Sequence, residues 1–456
     1  MADLTGIDPE AVQQLEHAEN SRFVAERPRS MALLEQAERS MPRGVPMMWM
    51  DEFYDHPPVW VTHGEGAYFT DVDGHTYLDM YVADMSAFCG HAPRPVVDAV
   101  ARRMQLGTQF LLPGEDAIAV AEHLAGRYGL PKWQFTHSAT QANTEVIRLA
   151  REATGREALL MFDGKYHGEV SDTTVVLEEG EVIPESRGVP PWVSDKARIV
   201  PFNDIGAVQA ALEPGDVALA LAEPAMTNAG LLLPRQGFHE QLRRATRDAG
   251  TLLLFDETHT LACAHAGLAG TWRLEPDFLT LGKSIAGGVP LAAYGMRDEI
   301  ASLIAPTDEA HRVMGATTEE LSIGGTLFAN ALAMAAGRAA LHDVLTEEAF
   351  ERTASLGERM AAGLSRAIRN AGLPWSVTQA GAHASYFFVP EPPVDAAASR
   401  AADEIDLRGL IRVFMANRGV WESGWWLGPT VTVAHAEADV DRYVEVFEEF
   451  VDVALD

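Results

Sequence analysis

The middle of the chain alternates short apolar runs with stretches of helical periodicity. The apolar runs cover residues 133–136, 158–162, 217–222, 251–255, 278–281 and 291–294. Several of them are apolar at every position, which is typical of parallel strands that are covered on both faces. Helical patterns occupy 140–154 and 236–249, and Gly155 and Gly250 are placed to end these helices. The pattern predicts an α/β domain with a mostly parallel sheet.

The N-terminal part of the chain has a different pattern. Residues 10–40 are polar, acidic and helix-forming. Residues 67–72 and 75–80 alternate between apolar and polar side chains on either side of Asp73-Gly74. This arrangement predicts a β-hairpin, because Asp-Gly favours a tight turn between two strands.

The C-terminal part is dominated by long amphipathic helices. They begin near residue 340, are interrupted by a Pro-rich break at 390–393, and end with a helix after Asp439. We therefore expect three units along the chain. They are an N-terminal helix and hairpin segment (1–85) that packs with the small domain, a large α/β domain (86–338) that binds the cofactor, and a small α+β domain (339–456).

The composition is that of an ordinary globular protein, but the charge is strongly acidic. Of 456 residues 47% are hydrophobic and 22% are charged, which allows a large core. The 35 Lys and Arg against 66 Asp and Glu give a net charge of −31, which repels nucleic acids and anionic membranes. No apolar run approaches the roughly 18 residues of a membrane span, and the acidic N-terminal region is unlike an export signal. We expect a cytoplasmic protein.

The two cysteines and the histidines give no sign of a disulfide framework or a metal site. Two cysteines, Cys89 and Cys263, cannot form a disulfide framework, and no Cys/His cluster has the spacing of zinc ligands. We therefore expect no metal.

Polar residues follow several predicted strands, at the sheet edge where α/β proteins bind ligands. Ser138, Ala139 and Thr140 lead into a helix whose first N–H groups could hold a phosphate, although a simple N-cap is an alternative. Asp256 follows a nearly apolar strand, where a buried carboxylate requires a cationic partner. That partner could be a protonated ring nitrogen of a ligand or an arginine in a structural salt bridge. Glu223 ends a third strand, either as a site residue or as a loop acid.

Lys283 follows the strand-like run 278–281 and is one of only four lysines in the chain. Gly282-Lys283-Ser284 is not a P-loop, because Asp277 occupies the position of the required earlier glycine. A lysine between an apolar strand and glycines can be desolvated, which lowers its pKa and frees its lone pair for a Schiff base, although a snorkelling lysine is an alternative. A phosphate site, a carboxylate for a ring nitrogen and an imine-forming lysine together indicate pyridoxal 5′-phosphate.

At this level of detail the sequence resembles the class III aminotransferases, which are fold-type I pyridoxal-phosphate enzymes. The resemblance is greatest to the branch with glutamate-1-semialdehyde aminomutase and the β-phenylalanine and D-phenylglycine aminotransferases. The motifs that carry it are His137-Ser138-Ala139-Thr140-Gln141-Ala142-Asn143, Tyr166-His167-Gly168, Glu223-Pro224, Phe255-Asp256-Glu257, Thr280-Leu281-Gly282-Lys283 and Gly324-Gly325-Thr326-Leu327-Phe328-Ala329-Asn330.

The resemblance implies a role for each matching residue. Lys283 would be the Schiff-base lysine that also moves the proton, Asp256 would pair with the pyridinium nitrogen, and Thr326 would reach the phosphate in the neighbouring subunit. A homodimer with shared active sites is therefore implied. The other cofactor contacts would be Ser138, Ala139 and Thr140 at the phosphate, Tyr166 stacked on the ring, Asn228 near its 3′-oxygen, and His167, Glu223 and Thr258 around it.

Several positions depart from the family pattern. Ala139 and Gln141 replace the usual glycine and glutamate of the phosphate cup. Two residues after Asp256, where the family usually has a valine, stands Thr258, followed by His259. The substrate-gripping arginine of many relatives is absent, and Met47, Met48, Trp49 and Met50 stand in its region. We expect Met48, Trp49, Met50, His259 and Trp421 to line the substrate pocket. Trp421, Trp425 and Trp426 could equally belong to the core or an interface.

The implied function is an aminotransferase that acts on a bulky or aromatic amine or amino-acid donor and a keto or aldehyde acceptor. An aminomutase, a racemase or an epimerase would use the same cofactor residues and remains an alternative, as does a catalytically silent homologue. The missing arginine predicts that glutamate-1-semialdehyde is not the natural substrate. Alternatively, Arg43 or Arg412 has taken over the substrate carboxylate.

Overall fold

A computed structural model describes residues 5–304, 321, 323–422 and 427–455. Within these residues the strands are β1 (Val61–Glu65), β2 (Tyr68–Asp71), β3 (Thr76–Asp79), β4 (Lys132–Thr136), β5 (Ala158–Phe162), β6 (Val175–Glu178), β7 (Glu181–Pro184), β8 (Ala197–Val200), β9 (Val217–Ala222), β10 (Leu252–Asp256), β11 (Phe278–Leu281), β12 (Ala292–Met296), β13 (Ser376–Ala380), β14 (His383–Phe387) and β15 (Val420–Trp421). The α-helices are α1 (Pro9–Glu26), α2 (Pro28–Ala37), α3 (Trp49–Glu52), α4 (Arg94–Leu106), α5 (Glu115–Tyr128), α6 (Ala139–Thr154), α7 (Ile205–Leu212), α8 (Phe238–Ala249), α9 (Gly267–Thr271), α10 (Asp298–Ala301), α11 (Ala331–Ala339), α12 (Glu347–Asn370), α13 (Ala396–Ala401), α14 (Ile405–Ala416) and α15 (Glu437–Leu455).

A seven-stranded sheet forms the centre of the molecule, in the order β4-β12-β11-β10-β9-β5-β8. The strands from β11 to β8 pair in parallel, whereas β12 is antiparallel to both of its neighbours. β9 is buried at every position, as expected for an apolar strand between two helical layers. The predicted α/β domain with a mostly parallel sheet is confirmed. Because β4, β9, β10 and β11 run in one direction, the polar residues that follow them meet at one edge of the sheet.

A second sheet joins the two ends of the chain. The predicted hairpin forms β2 and β3, with β1 on one side and β15 pairing in parallel with β3 on the other. Arg27, which separates α1 from α2, is buried and donates from Nε to the Tyr77 hydroxyl at 2.8 Å. Its Nη1 donates to Asn417 Oδ1 at 3.1 Å, across 390 positions of sequence. The predicted N-terminal helical region is therefore two helices, broken at Arg27-Pro28.

The segment after β3 has an unusual backbone. Val82, Ala83, Asp84 and Met85 all have φ between +46° and +63°, which makes one left-handed turn. Such a conformation costs an L-residue roughly 1–2 kcal/mol, and it is rarely sustained over several residues. Asp79 Oδ1 accepts from the Val82 N–H at 2.7 Å and helps to hold the turn. The turn carries the Asp84 side chain to the edge of the central sheet.

The small α+β part is built from the C-terminal elements. The β13–β14 hairpin packs against α12, and α12 packs against α15. None of the described helices is both long and apolar enough to cross a membrane.

Candidate active site

Two clefts adjoin at the carboxyl edge of the central sheet. The first, here called the Lys283 cleft, has a volume of about 310 Å³. Its predicted site residues are Ser138, Ala139, Thr140, Tyr166, His167, Glu223, Asp256, Thr258, His259, Lys283 and Trp49. The second, here called the Lys165 cleft, is of similar size and is lined by Trp49, Tyr166, His167 and Asn228 among others. Residues predicted from separate motifs are thus brought together.

The start of α6 forms one wall of the Lys283 cleft. The N-cap residue, Ser138, is extended and makes no capping bond with its side chain. The first N–H groups of a helix have no intrahelical acceptors, so this wall presents donors to an anion. Gly168, with φ +86°, lies so close that a Cβ there would be 2.2 Å from Thr140 Oγ1. The Tyr166-His167-Gly168 loop therefore seats directly on the helix start.

The two departures in this wall have local explanations. Ala139 faces Gly282, where an added Cβ would lie 3.1 Å from the Ala139 Cβ. The glycine therefore leaves room for the alanine side chain. Gln141 accepts from the His137 N–H through Oε1 at 3.2 Å, so it braces the loop that precedes the helix.

Asp256 lies at the base of the Lys283 cleft and is buried. Its Oδ2 accepts from Asn143 Nδ2 at 2.9 Å and from His167 Nδ1 at 3.0 Å, and its Oδ1 accepts from the Thr258 N–H at 3.0 Å and from Thr258 Oγ1 at 2.5 Å. Burial alone would raise the pKa of Asp256, but His167 and the other donors lower it to about 2. Asp256 is therefore a carboxylate at neutral pH. Its partners are a histidine and neutral donors rather than the arginine of the alternative interpretation.

Lys283 projects into the cleft from a left-handed backbone, with φ +52°. A non-glycine residue in this region stores strain of order 1–3 kcal/mol, which is typical of functional positions. Its Nζ forms an ion pair with Asp84 and lies 2.6 Å from His259 Nε2. Burial opposes ionisation of Asp84, but Lys283 and His259 hold its pKa well below the ordinary range. The apolar and glycine neighbours of Lys283 in the sequence predict an apolar environment. The structure instead places Lys283 against two polar side chains.

A buried chain of polar side chains leads away from Lys283. His259 Nδ1 lies 2.6 Å from Thr227 Oγ1, and Thr227 Oγ1 donates to Glu223 Oε2. Asn228 Nδ2 donates to Glu223 Oε1 at 3.4 Å. Burial raises the pKa of Glu223 to about 8, and burial lowers the pKa of His259.

Glu257 faces away from this chain and has a structural role. It accepts from the N–H groups of Leu268 and Ala269 at 3.1 and 2.6 Å, at the start of α9. Burial raises its pKa to about 7.

The predicted substrate residues are divided between the clefts, the surface and the core. Trp49 lines both clefts and packs edge-on against Tyr166, with the two ring centroids 5.4 Å apart. Met48 and Met50 are exposed and lie outside the walls of both clefts. Trp421 is buried, and its Nε1 donates to the Tyr54 hydroxyl at 3.1 Å. This places Trp421 in the core, outside the walls of both clefts. Trp425 and Trp426 lie outside the described residues.

Thr326 and the two arginines proposed as carboxylate ligands lie away from the clefts. Thr326 is exposed, and its carbonyl accepts from Gln109 Nε2. Arg43 pairs with Asp51 and Glu52, and Arg412 pairs with Asp55. Among the described residues that line either cleft there is no arginine.

The Lys165 cleft carries more acidic than basic side chains. Lys165 Nζ donates to the Thr173 carbonyl at 2.5 Å and to Glu185 Oε2 at 3.4 Å, and burial lowers its pKa. Glu169 and Asp84 add two further carboxylates to the lining. Across the part of the chain that the structure describes, no group of three or more His, Cys, Asp or Glu could hold a metal ion.

Comparison with known proteins gives a consistent result over nearly the whole chain. The family model of the class-III aminotransferases matches residues 49–413. The chain is 34% identical over 404 residues to a glutamate-1-semialdehyde 2,1-aminomutase of Akkermansia muciniphila, covering 86% of this chain and 91% of that protein.

Two solved structures are similar in fold. A glutamate-1-semialdehyde-aminomutase from Pseudomonas aeruginosa PAO1 is 36% identical with a TM-score of 0.93, covering 99% of this chain and 100% of that one. A variant of that enzyme has been solved in complex with PMP. A β-phenylalanine aminotransferase from Variovorax paradoxus is 28% identical with a TM-score of 0.86, covering 97% of each chain.

Proposed function

This chain belongs to the class III aminotransferases, and we propose that it transfers an amino group from a bulky or aromatic amine or amino acid to a keto or aldehyde acceptor. It has the fold of the fold-type I enzymes and uses pyridoxal 5′-phosphate. The observation that carries the proposal is that Lys283, Asp256 and the start of α6 line one cleft. Three groups with these chemistries match the aldehyde, the ring nitrogen and the phosphate of this cofactor.

Each residue has a chemical role that follows from its position. The cofactor, when bound, supplies an aldehyde for the amino group and a ring that withdraws electrons from the substrate Cα. The ionised Asp256 would keep the ring nitrogen protonated, and Lys283 would carry the proton at Cα. Tyr166 and Thr258 line the same space and would hold the ring in place.

The walls of the Lys165 cleft favour an apolar donor. Trp49, Phe53 and Tyr81 supply aromatic surface, and the lining residues described here include no arginine to bind a second carboxylate. The lining carries Asp84, Glu169 and Glu185 against a single lysine, Lys165, and this excess of negative charge would repel a dicarboxylic substrate. These features support an amine or amino acid with apolar bulk.

An aminomutase is the second candidate, and the names of the similar proteins favour it. Two of them, at 34% and 36% identity, are glutamate-1-semialdehyde aminomutases. An aminomutase would use the same Lys283 and Asp256, so the cofactor residues cannot separate the two reactions, and the same holds for a racemase. A silent homologue is disfavoured because both residues are retained in the cleft.

The test is a panel of amine donors and acceptors with the cofactor-loaded protein. We expect aromatic and long-chain amines to convert the visible absorbance band to that of the amine form of the cofactor, and glutamate-1-semialdehyde to be a poor substrate. Efficient isomerisation of glutamate-1-semialdehyde without a response to apolar amines would instead establish the aminomutase. No visible band at all would indicate the silent homologue.

We also propose a homodimer, supported by an exposed apolar surface near Thr326. The side chains of this surface are Leu106, Phe110, Leu111, Leu112 and Leu327, all of which are at least half exposed. Gln109 lies among them and bonds to the Thr326 carbonyl. A second copy of the chain would cover this surface and bring Thr326 to the partner's phosphate site.

A further inference from the structure

The polar chain behind Lys283 has a use beyond binding the cofactor. We propose that His259, Thr227 and Glu223 form a proton relay that takes a proton from Lys283 and leaves its amine free to act as a base. The inference rests on the proposed function, because it assumes that Lys283 is the residue that moves the proton at Cα.

The distances between the groups allow a proton to pass along the chain. Lys283 Nζ and His259 Nε2 are 2.6 Å apart, and His259 Nδ1 and Thr227 Oγ1 are also 2.6 Å apart. Thr227 Oγ1 is in direct contact with Glu223 Oε2. All three relay residues are buried, and each contact between them is direct.

The hydroxyl of Thr227 determines the direction of every bond in the relay. Thr227 has a single O–H, and while it donates this to Glu223 it can only accept from His259. The imidazole must then carry its proton on Nδ1, which leaves Nε2 as the acceptor for a proton of Lys283. The donors therefore all point from Lys283 towards Glu223.

One transfer along this path balances in atoms and charge. The Lys283 proton moves to Nε2 of His259, the Nδ1 proton moves to Thr227 Oγ1, and the Thr227 proton moves to Glu223. The step starts from the ionised form of Glu223, which prevails above its pKa of about 8. An ammonium and a carboxylate then become a neutral amine and a carboxylic acid, with no change in net charge. The reverse transfer returns the proton to Lys283 for delivery to a substrate carbon.

Burial, more than the neighbouring charge, favours the protonated state of Glu223. Glu223 is buried near the carboxylate of Asp256, and these conditions raise its pKa to about 8. The charged or titratable groups that act on His259 are Lys283, Asp84, Asp256 and, from β14, His383. Asp84 acts against the relay because it stabilises the Lys283 ammonium.

Two contacts of Lys283 therefore favour opposite states. The ion pair with Asp84 favours the charged amine, and the relay favours the neutral amine. A role for the polar chain in packing alone would not affect the protonation of Lys283, and this difference makes the relay testable.

The experiment measures the protonation of Lys283 in the cofactor-free protein. Trace acetylation across a pH series, read by peptide mapping, gives the pH midpoint at which the Lys283 amine becomes reactive. Thr227→Val interrupts the relay with an isosteric side chain, His259→Gln removes its first member, and Thr227→Ser keeps the hydroxyl. Lys165 is labelled in the same samples and serves as the internal control, since it contacts none of the relay residues.

We expect Thr227→Val and His259→Gln to raise the Lys283 midpoint by at least about one pH unit, which is about a tenfold loss of reactivity at a fixed pH below the midpoint. Thr227→Ser should keep the midpoint of the unaltered protein, and the Lys165 midpoint should not move. An unchanged Lys283 midpoint in Thr227→Val, with the protein folded by circular dichroism, would overturn the relay. His259→Gln gives an independent reading if Thr227→Val does not fold.

The same variants separate the relay from the proposed function. In the loaded enzyme, the solvent deuterium isotope effect on amine-dependent conversion of the visible band should change in Thr227→Val and return in Thr227→Ser. If the unaltered protein converts amines but neither the midpoint nor the isotope effect responds, the relay is wrong and the function stands. If the midpoint responds but no amine converts the band, the relay stands and the proposed function fails.

Discussion

Replacing Asp256 by asparagine removes one negative charge from the base of the Lys283 cleft while preserving size. All four bonds to the carboxylate are accepted bonds, from Asn143, His167 and Thr258. The asparagine NH₂ must replace one of the two oxygens, and on either side it would face an N–H donor, Asn143 Nδ2 or the Thr258 N–H. One buried donor then loses its acceptor, which costs ~1–3 kcal/mol of unfolding free energy.

The effect on the reaction is larger than the effect on stability. Without the carboxylate nothing holds the proton on the ring nitrogen, and the loss of one preorganised charge of this kind lowers a rate by about 10²–10³-fold. The assay is stopped-flow absorbance of the visible band after addition of an amine donor, with thermal unfolding as the parallel measurement. Asp256→Glu is the matched control, because it keeps the charge and changes only its position.

We expect Asp256→Asn to retain the cofactor on Lys283 but to convert amines slowly, and Asp256→Glu to lose less activity. Conversion by folded, loaded Asp256→Asn at nearly the normal rate would refute the role of this carboxylate. Loss of the cofactor from Asp256→Asn, with the rate restored by excess cofactor, would show that Asp256 serves binding rather than proton transfer.

Four further predictions follow from the same residues. Borohydride reduction and peptide mapping should place the cofactor on Lys283, and an adduct on any other lysine would contradict the site. The pKa of Glu223 is about 8 in the fold against an ordinary 4.5, so its contribution to the free energy of unfolding is full below pH 4.5 and is lost as pH rises towards 8. Glu223→Gln should therefore flatten the decline of the urea unfolding midpoint over this range, and an unchanged slope would show that Glu223 ionises normally. Mixing inactive Lys283→Ala with Thr326→Val subunits should give hybrid sites unlike either parent, whereas a fully active monomer by light scattering would exclude the shared site. Trp49→Ala should lower kcat/KM for aromatic donors by about tenfold or more, as expected when ~2 kcal/mol of apolar contact is lost, and equal losses for small and aromatic amines would remove Trp49 from the donor pocket.

The central fold could be predicted because its signals are local. Buried parallel strands are continuous apolar runs, and the glycines that end α6 and α8 adopt the left-handed conformation that glycine favours. β8 was not predicted, because its four residues include Arg198 and the run is too short and mixed to stand out. The antiparallel direction of β12 also has no local signal, since strand direction depends on the connections around it.

The site was predictable where a residue follows a strand and was not where a contact joins distant segments. Asp256 and Lys283 end neighbouring strands, so the sheet itself brings them together. Asp84 reaches Lys283 across 199 positions from a left-handed turn that no propensity predicts. Thr227 is not predicted from the sequence, although its spacing of four from Glu223 is a signal that the two side chains can meet. The sequence left Trp421 open between a pocket and the core, because its aromatic character fits both, and in the structure it is buried.

The pairing of β3 with β15, and of Arg27 with Asn417, has a consequence for biosynthesis. At about 5–20 residues per second, the 390 positions between Arg27 and Asn417 take roughly 20–80 s to synthesise. During this time the N-terminal segment has already left the ribosome. In it, β3 has an unpaired edge, and the Arg27 guanidinium lacks its partners Ala416 and Asn417. The N-terminal hairpin must therefore stay soluble, or be held by a chaperone, until almost the last part of the chain arrives to complete its sheet.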